Sequence, residues 1–91
     1  MEFERREIHF SGRVQGVGFR YTTHRIASNL DVTGYVKNLP DGRVLLVAEG
    51  PRVEIDSLLS QLGQQMESNI SETEIRQDDW RNEFDSFRIA R

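Results

Sequence analysis

The sequence contains no cysteine. That excludes disulfides, thiolate nucleophiles and cysteine-based zinc sites. Basic residues are in deficit: 12 Lys and Arg stand against 15 Asp and Glu, for a net charge of −3. Bulk binding of nucleic acid ordinarily needs a basic surface excess, so any anion site here must be locally rather than globally basic. Long apolar runs are missing too, which removes a membrane-spanning helix. The opening segment "MEFERREIHF" is too charged for a secretory signal. A cytoplasmic location is therefore expected. Repeats, low-complexity tracts and linkers are absent. With 91 residues the chain fits a single domain, taken as 1–91, with one modest core.

What is present changes period along the chain. "EIHFS" (Glu7 to Ser11) alternates, with Ile8 and Phe10 on one face, which predicts a half-buried strand. From Phe19 the apolar positions Phe19, Thr23, Ile26, Ala27 and Leu30 fall on one helical stripe. "TGYVKN" (Thr33 to Asn38) and "RVLLVAE" (Arg43 to Glu49) read as strands. They flank "LPDG", whose Pro and Gly mark a type I turn, so the two form a hairpin. Gly50 and Pro51 predict a break. Ile55, Leu58, Leu59, Leu62 and Met66 then form the clearest helical stripe in the chain. Thr73 to Arg76 reads as a weak fourth strand, Gln77 to Glu83 as a surface loop, and Phe87 to Ala90 as a short final strand.

The order strand, helix, strand, strand, helix, strand, with a possible extra strand, points to an α+β fold. The compact solution is the ferredoxin-like βαββαβ sandwich: an antiparallel sheet with two helices on one face. In that topology the first and second strands run the same way, with the third between them. Their C-terminal ends then lie at one edge of the sheet, about 10 Å apart at the backbone.

That edge carries the chemistry. "FSGRVQGVGFRYT" (Phe10 to Thr22) places three glycines and two arginines between a strand and a helix, with no acid among them. Glycines let successive amides point inward around an anion, and a helix N-terminus adds unpaired N–H groups. Arg20 falls in the first helical turn, where the helix dipole disfavours a cation unless an anion sits nearby. Its guanidinium fork also matches phosphate oxygens. A tight strand-to-helix turn with a solvated arginine would use the same residues. The loop is not a Walker motif, since it lacks the Gly-Lys-Ser/Thr ending. A dinucleotide fingerprint would need glycine where Val14 and Val17 stand.

"GRVQGVGFR" (Gly12 to Arg20) followed by "GYVKNLPDGRVLLVAEG" (Gly34 to Gly50) resembles the two signature stretches of the acylphosphatase family, in order and in separation. The resemblance implies the same ferredoxin-like fold. It also implies hydrolysis of the carboxyl–phosphate bond of small acyl phosphates to a carboxylate and inorganic phosphate, with neither metal nor cofactor. On it, the backbone amides of Gln15, Gly16, Val17, Gly18 and Phe19 bind the phosphoryl group. Arg20 grips the same group, and Asn38 orients the attacking water. Many relatives carry a small hydroxyl residue where this chain has Leu39, which puts any helper role for that hydroxyl in doubt.

The remaining candidates have plainer roles. His9 and His24 lie off the apolar stripes with no partner spacing for a metal, so both are expected to be structural or solvated. Asp41 reads as a turn residue and Glu49 as a strand-end charge. Lys37 and Arg43 read as surface charges near the pocket mouth, and Trp80 as a loop anchor. RNA-recognition modules share the strand order, but "RVLLVAEG" offers no aromatic for base stacking. A non-catalytic anion-binding or small-ligand module of the same fold is the alternative. So is a domain of a larger acyl-transfer protein. The chain's extent favours a freestanding enzyme, expected to be a monomer with no nucleic-acid or membrane partner.

Overall fold

A computed structural model describes residues 2–91. Strand β1 (Phe3–Gly12) leads through the glycine loop into helix α1 (Phe19–Ala27). Strands β2 (Thr33–Asn38) and β3 (Val44–Pro51) form the hairpin, and helix α2 (Arg52–Gln65) follows. Strand β4 (Ile70–Asp79) and the short β5 (Phe87–Ala90) complete the chain. The sheet order is β4-β1-β3-β2-β5. The first four strands are antiparallel, as the ferredoxin-like pattern requires. The possible extra strand is real: β5 pairs with β2 in parallel, which makes the five-stranded sheet mixed.

The alternation of β1 sends Ile8 and Phe10 into the core, where they join Val36, Val44, Leu46 and Ala48 from the neighbouring strands. Both helices cover this face. Helix α1 contributes Phe19, Ile26 and Ala27, and α2 contributes Ile55, Leu58 and Leu62. Thr23 is buried as well, its hydroxyl donating to the Phe19 carbonyl at 2.8 Å. The stripe expected to reach Leu30 runs past the helix, which ends at Ala27. Leu30 follows in a turn and still packs partly on the core. Phe10 and Phe19 meet with ring centroids 5.1 Å apart, a tilted contact that adds about 0.5–1.5 kcal/mol beyond simple burial. These two rings stand at either end of the glycine loop and pin both of its anchors.

The edges of several elements differ from expectation. β1 begins at Phe3, because Glu4, Arg5 and Arg6 extend it as paired charges. β3 continues through Gly50 and Pro51, and Pro51 stands as the N-cap of α2. β4 spans Ile70–Asp79, so Gln77 to Asp79 are strand and the loop begins at Trp80. β4 is an edge strand with nearly every residue exposed. A strand of that kind shows no apolar alternation, which is why its ends were hidden.

On the sheet face away from the helices, the segment 80–86 crosses back over the strands. Trp80 meets Phe3 in a tilted contact with centroids 5.1 Å apart, as its anchoring role predicts, and Phe84 meets Tyr35 edge-on at 5.8 Å. Beneath the segment lies Glu49, fully buried. Its carboxylate accepts from Arg5 Nη1 at 2.9 Å and from the backbone N–H groups of Glu83 at 3.0 Å and Arg81 at 3.3 Å. Arg5 Nη1 also donates to Glu83 at 2.9 Å. Burial opposes the charge on Arg5, but its hydrogen bond to Glu49 and the fields of Glu83 and Glu7 outweigh that, and the guanidinium is held above its ordinary value. Glu49 is thus the centre of a buried charge cluster, not a strand-end charge. It fixes the crossing that delivers β5 to the edge of β2.

Candidate active site

Between β1 and α1 the backbone alternates in hand. Gly16 has φ 74° and Gly18 φ 78°, while Gln15 and Val17 stay on the negative side. This is the geometry in which consecutive N–H groups converge as an anion-binding nest. Among the described residues, the main-chain N–H groups of Gln15, Gly16, Val17 and Gly18 meet no backbone acceptor. Gly18 is the N-cap of α1, with no capping side chain and no acid in the first turn. The first intrahelical bond, from Thr22 N–H to Gly18 O, is 2.9 Å long and leaves the preceding amides free.

Three contacts tie this loop to its neighbours. Arg13 N–H donates to Asn69 O at 2.9 Å and Asn69 Nδ2 returns to Arg13 O at 3.0 Å, tying the loop's start to the α2–β4 connection. Gln15 Nε2 donates to Leu39 O at 2.8 Å and Arg43 O at 2.9 Å, tying its middle to the hairpin turn. Val17 packs partly against the core. The hairpin turn closes through Gly42 N–H to Leu39 O at 3.1 Å, as its Pro-Asp-Gly sequence predicts. Asp41 caps it by accepting from Arg43 N–H at 3.0 Å and Arg43 Nε at 2.8 Å. The Arg43 backbone N–H, then its side chain, hold the Asp41 carboxyl below the ordinary carboxylate range.

A hollow of about 200 Å³ opens where loop and hairpin meet. Gly16, Gly18, Arg20 and Asn38 line it, with Tyr21 and Ile89 on its apolar side and the buried Val14 and Phe19 beneath. Among the described residues, no acid lines it. Arg20 is held from behind, its Nη1 donating to Ala90 O of β5 at 3.2 Å. Asn38 faces the helix side of the sheet, the same side as Val36. Its Oδ1 is buried and, among the described residues, has no hydrogen-bond partner. A buried, unpaired carboxamide oxygen is costly unless a donor joins it. Lys37 alternates to the opposite face, away from the hollow, and Arg43 is engaged with Asp41. A larger hollow of about 460 Å³ lies at the far end of β1, but Glu2, Glu4, Asp78 and Asp79 line it against one arginine, Arg52, already paired with Glu2 and Glu4, and the net negative charge repels a phosphoryl group.

Of the residues expected at the site, the structure gathers Gly16, Gly18, Phe19, Arg20 and Asn38 around one hollow. The side chains of Gln15 and Val17 point elsewhere, and among the described residues their main-chain N–H groups meet no backbone acceptor. Tyr21 and Ile89 were missed, as was the Ala90 carbonyl behind Arg20. Tyr21 was marked only by following Arg20 off the apolar stripe, and β5 was too short to show which strand it joins. His9 lies on the open sheet face opposite Glu74 and Leu45, and the His24 ring is 6.3 Å from that of Phe87. Neither takes part in the hollow.

The fold and site define a small α+β sandwich with a glycine loop, an arginine and, among the described residues, an unpaired carboxamide oxygen at one sheet edge. The acylphosphatase family model matches residues 6–89, and the chain belongs to that family. It is 41% identical to the acylphosphatase of Syntrophobacter fumaroxidans, over 99% of this chain and 94% of that one. It is 59% identical to the acylphosphatase of Archaeoglobus fulgidus over a shorter stretch, 59% of this chain and 61% of that one. Among solved structures, the acylphosphatase of Bacillus subtilis superposes with a TM-score of 0.86 at 29% identity, covering 97% of this chain and 99% of that one.

Proposed function

We propose that this protein is an acylphosphatase that hydrolyses small acyl phosphates to a carboxylate and inorganic phosphate, by direct attack of water on phosphorus. The observation that carries the reading is the meeting of Arg20, the Gly16–Gly18 nest and the unpaired Asn38 oxygen on one hollow. The phosphoryl oxygens lie in the nest, held by the amides of Gln15 to Phe19 and by the Arg20 fork. Asn38 Oδ1 accepts from the attacking water and aims it at phosphorus. The new P–O bond forms as the bond to the acyl oxygen breaks, and the carboxylate departs with the electron pair. A proton of the water ends on the phosphate.

These few groups suffice for chemical reasons. The leaving carboxylate is the base of an acid with pKa about 4, so it departs without a general acid. A loose phosphoryl transition state asks little of a base. What is left is orientation and stabilisation of the equatorial oxygens, which fixed amides and one guanidinium supply. The acyl part extends toward Tyr21 and Ile89. Leu39, in place of a hydroxyl residue, serves through its backbone in the hairpin turn. We take the reaction to need no metal or cofactor, and the protein to act as a cytoplasmic monomer without a nucleic-acid partner. Among the described residues no helix is long and apolar enough to cross a membrane.

The test is steady-state hydrolysis of acetyl phosphate in the presence of a metal chelator, by wild type, Arg20→Ala and Asn38→Ala, with folding compared by circular dichroism. Undiminished wild-type turnover is expected. Loss of Asn38 should lower kcat by about 10²–10³-fold, the size seen when one transition-state contact is removed. Arg20→Ala should weaken phosphate binding as well. Equal rates in the three folded proteins would reject the reading. Phosphate binding without turnover would favour a non-catalytic anion-binding module.

A further inference from the structure

The Gln15 side chain belongs neither to the hollow nor to solvent. It is half-buried, and its Nε2 donates to two carbonyls 24 and 28 residues away, Leu39 O at 2.8 Å and Arg43 O at 2.9 Å. Both acceptors belong to the hairpin turn. The turn is closed on itself by Leu39 N–H to Arg43 O at 2.8 Å and Gly42 N–H to Leu39 O at 3.1 Å. Asn38 is the residue immediately before that closed turn. Gln15 is also the first residue of the alternating stretch that forms the nest. One side chain therefore spans the two halves of the site.

We infer that Gln15 is a positioning residue. Its carboxamide sets the distance and angle between the phosphoryl nest and the water-orienting Asn38. This rests on the proposed hydrolytic function and goes beyond it. The chemistry of the side chain fits. A planar NH₂ offers two hydrogens in a fixed fork, enough for two carbonyls. A carboxylate has no donor, and a leucine of similar size has neither donor nor acceptor. Without the fork the turn is free to shift against the loop. A misplacement of about 1 Å between reacting groups lowers rates by about 10²-fold. Binding of phosphate alone needs only the nest and Arg20, so it should not depend on the fork.

The experiment compares wild type, Gln15→Leu, Asn38→Ala and the double variant, all as full chains. It measures kcat on acetyl phosphate and the dissociation constant of inorganic phosphate by calorimetry. Gln15→Leu should lose about 10- to 100-fold in kcat, with phosphate affinity changed less than about threefold. In the Asn38→Ala background the same substitution should change kcat less than about threefold, because its target is gone. A brace that merely stabilises the fold would not produce this non-additivity. Gln15→Glu keeps the shape without the donors. It should show the same split at neutral pH, which covers the case in which Gln15→Leu fails to fold. Wild-type kcat in the Gln15 variants, equal losses in both backgrounds, or phosphate affinity falling in step with kcat would each overturn the positioning role while leaving the hydrolase reading intact. An inert wild type would overturn both.

Discussion

Replacing Glu49 with leucine tests the architecture that holds the last strand in place. The Glu49 side chain is fully buried, and Arg5 beside it is only 6% exposed. Removing one partner of a buried, hydrogen-bonded pair ordinarily costs about 3–5 kcal/mol, chiefly because the other charge is stranded. Here Arg5 retains Glu83 at 2.9 Å and Glu7 at 3.6 Å, so the lower end applies, about 3 kcal/mol. The orphaned N–H groups of Arg81 and Glu83 belong to exposed residues and can turn to water. For a domain of this size, about 3 kcal/mol lowers Tm by roughly 12–24 °C. Thermal unfolding followed by circular dichroism reads this directly. Adding Arg5→Leu should recover part of the loss, since it removes the stranded charge. A drop below about 4 °C for the single variant, or a double variant less stable than the sum of the single ones, would refute the account of Glu49 as the hub of this crossing.

Asp41→Asn should lower stability at neutral pH by a small amount, measurable as urea midpoints across pH. The folded-state pKa of Asp41 is depressed, so its contribution is present above the unfolded value of about 4 and fades as pH falls through the folded one; wild type and variant should converge in acid. A difference that persists or grows in acid would contradict the Arg43 contacts. Leu58→Ala, at a fully buried position of α2, should cost about 2–5 kcal/mol in denaturant unfolding. A loss under about 1 kcal/mol would show that the two helices do not share one core. Tyr21→Ser should lower kcat/KM for benzoyl phosphate about three- to tenfold more than for acetyl phosphate, the worth of an aromatic contact. An unchanged ratio would remove Tyr21 from the acyl side of the hollow.

The order of elements was legible because each core element carries its own period. Ile8 and Phe10 alternate, while Ile55, Leu58 and Leu62 repeat at helical spacing. What the pattern hid was structure whose justification lies elsewhere in the chain. Glu4, Arg5 and Arg6 look unlike a strand until their partners Arg52, Glu49 and Asp56 are in place. Glu49 looked like an ordinary strand-end charge for the same reason. At the site, the loop glycines, Arg20 and Asn38 were legible through local chemistry and the resemblance they carry. The turning of Gln15 toward the hairpin and the support of Arg20 by Ala90 were not, because each depends on which elements become neighbours in space.

The braces around the glycine loop share one property: none is local. Asn69 reaches 56 residues back to Arg13, and Arg20 reaches 70 to Ala90. Closing intervals of that size is entropically unfavourable until many contacts form together, so high contact order makes the arrangement a late event in folding. A half-assembled chain, even one with both helices formed, has no means of shaping the cradle. Recovery of phosphate binding during refolding is thus a clock for completion of the whole topology rather than for collapse.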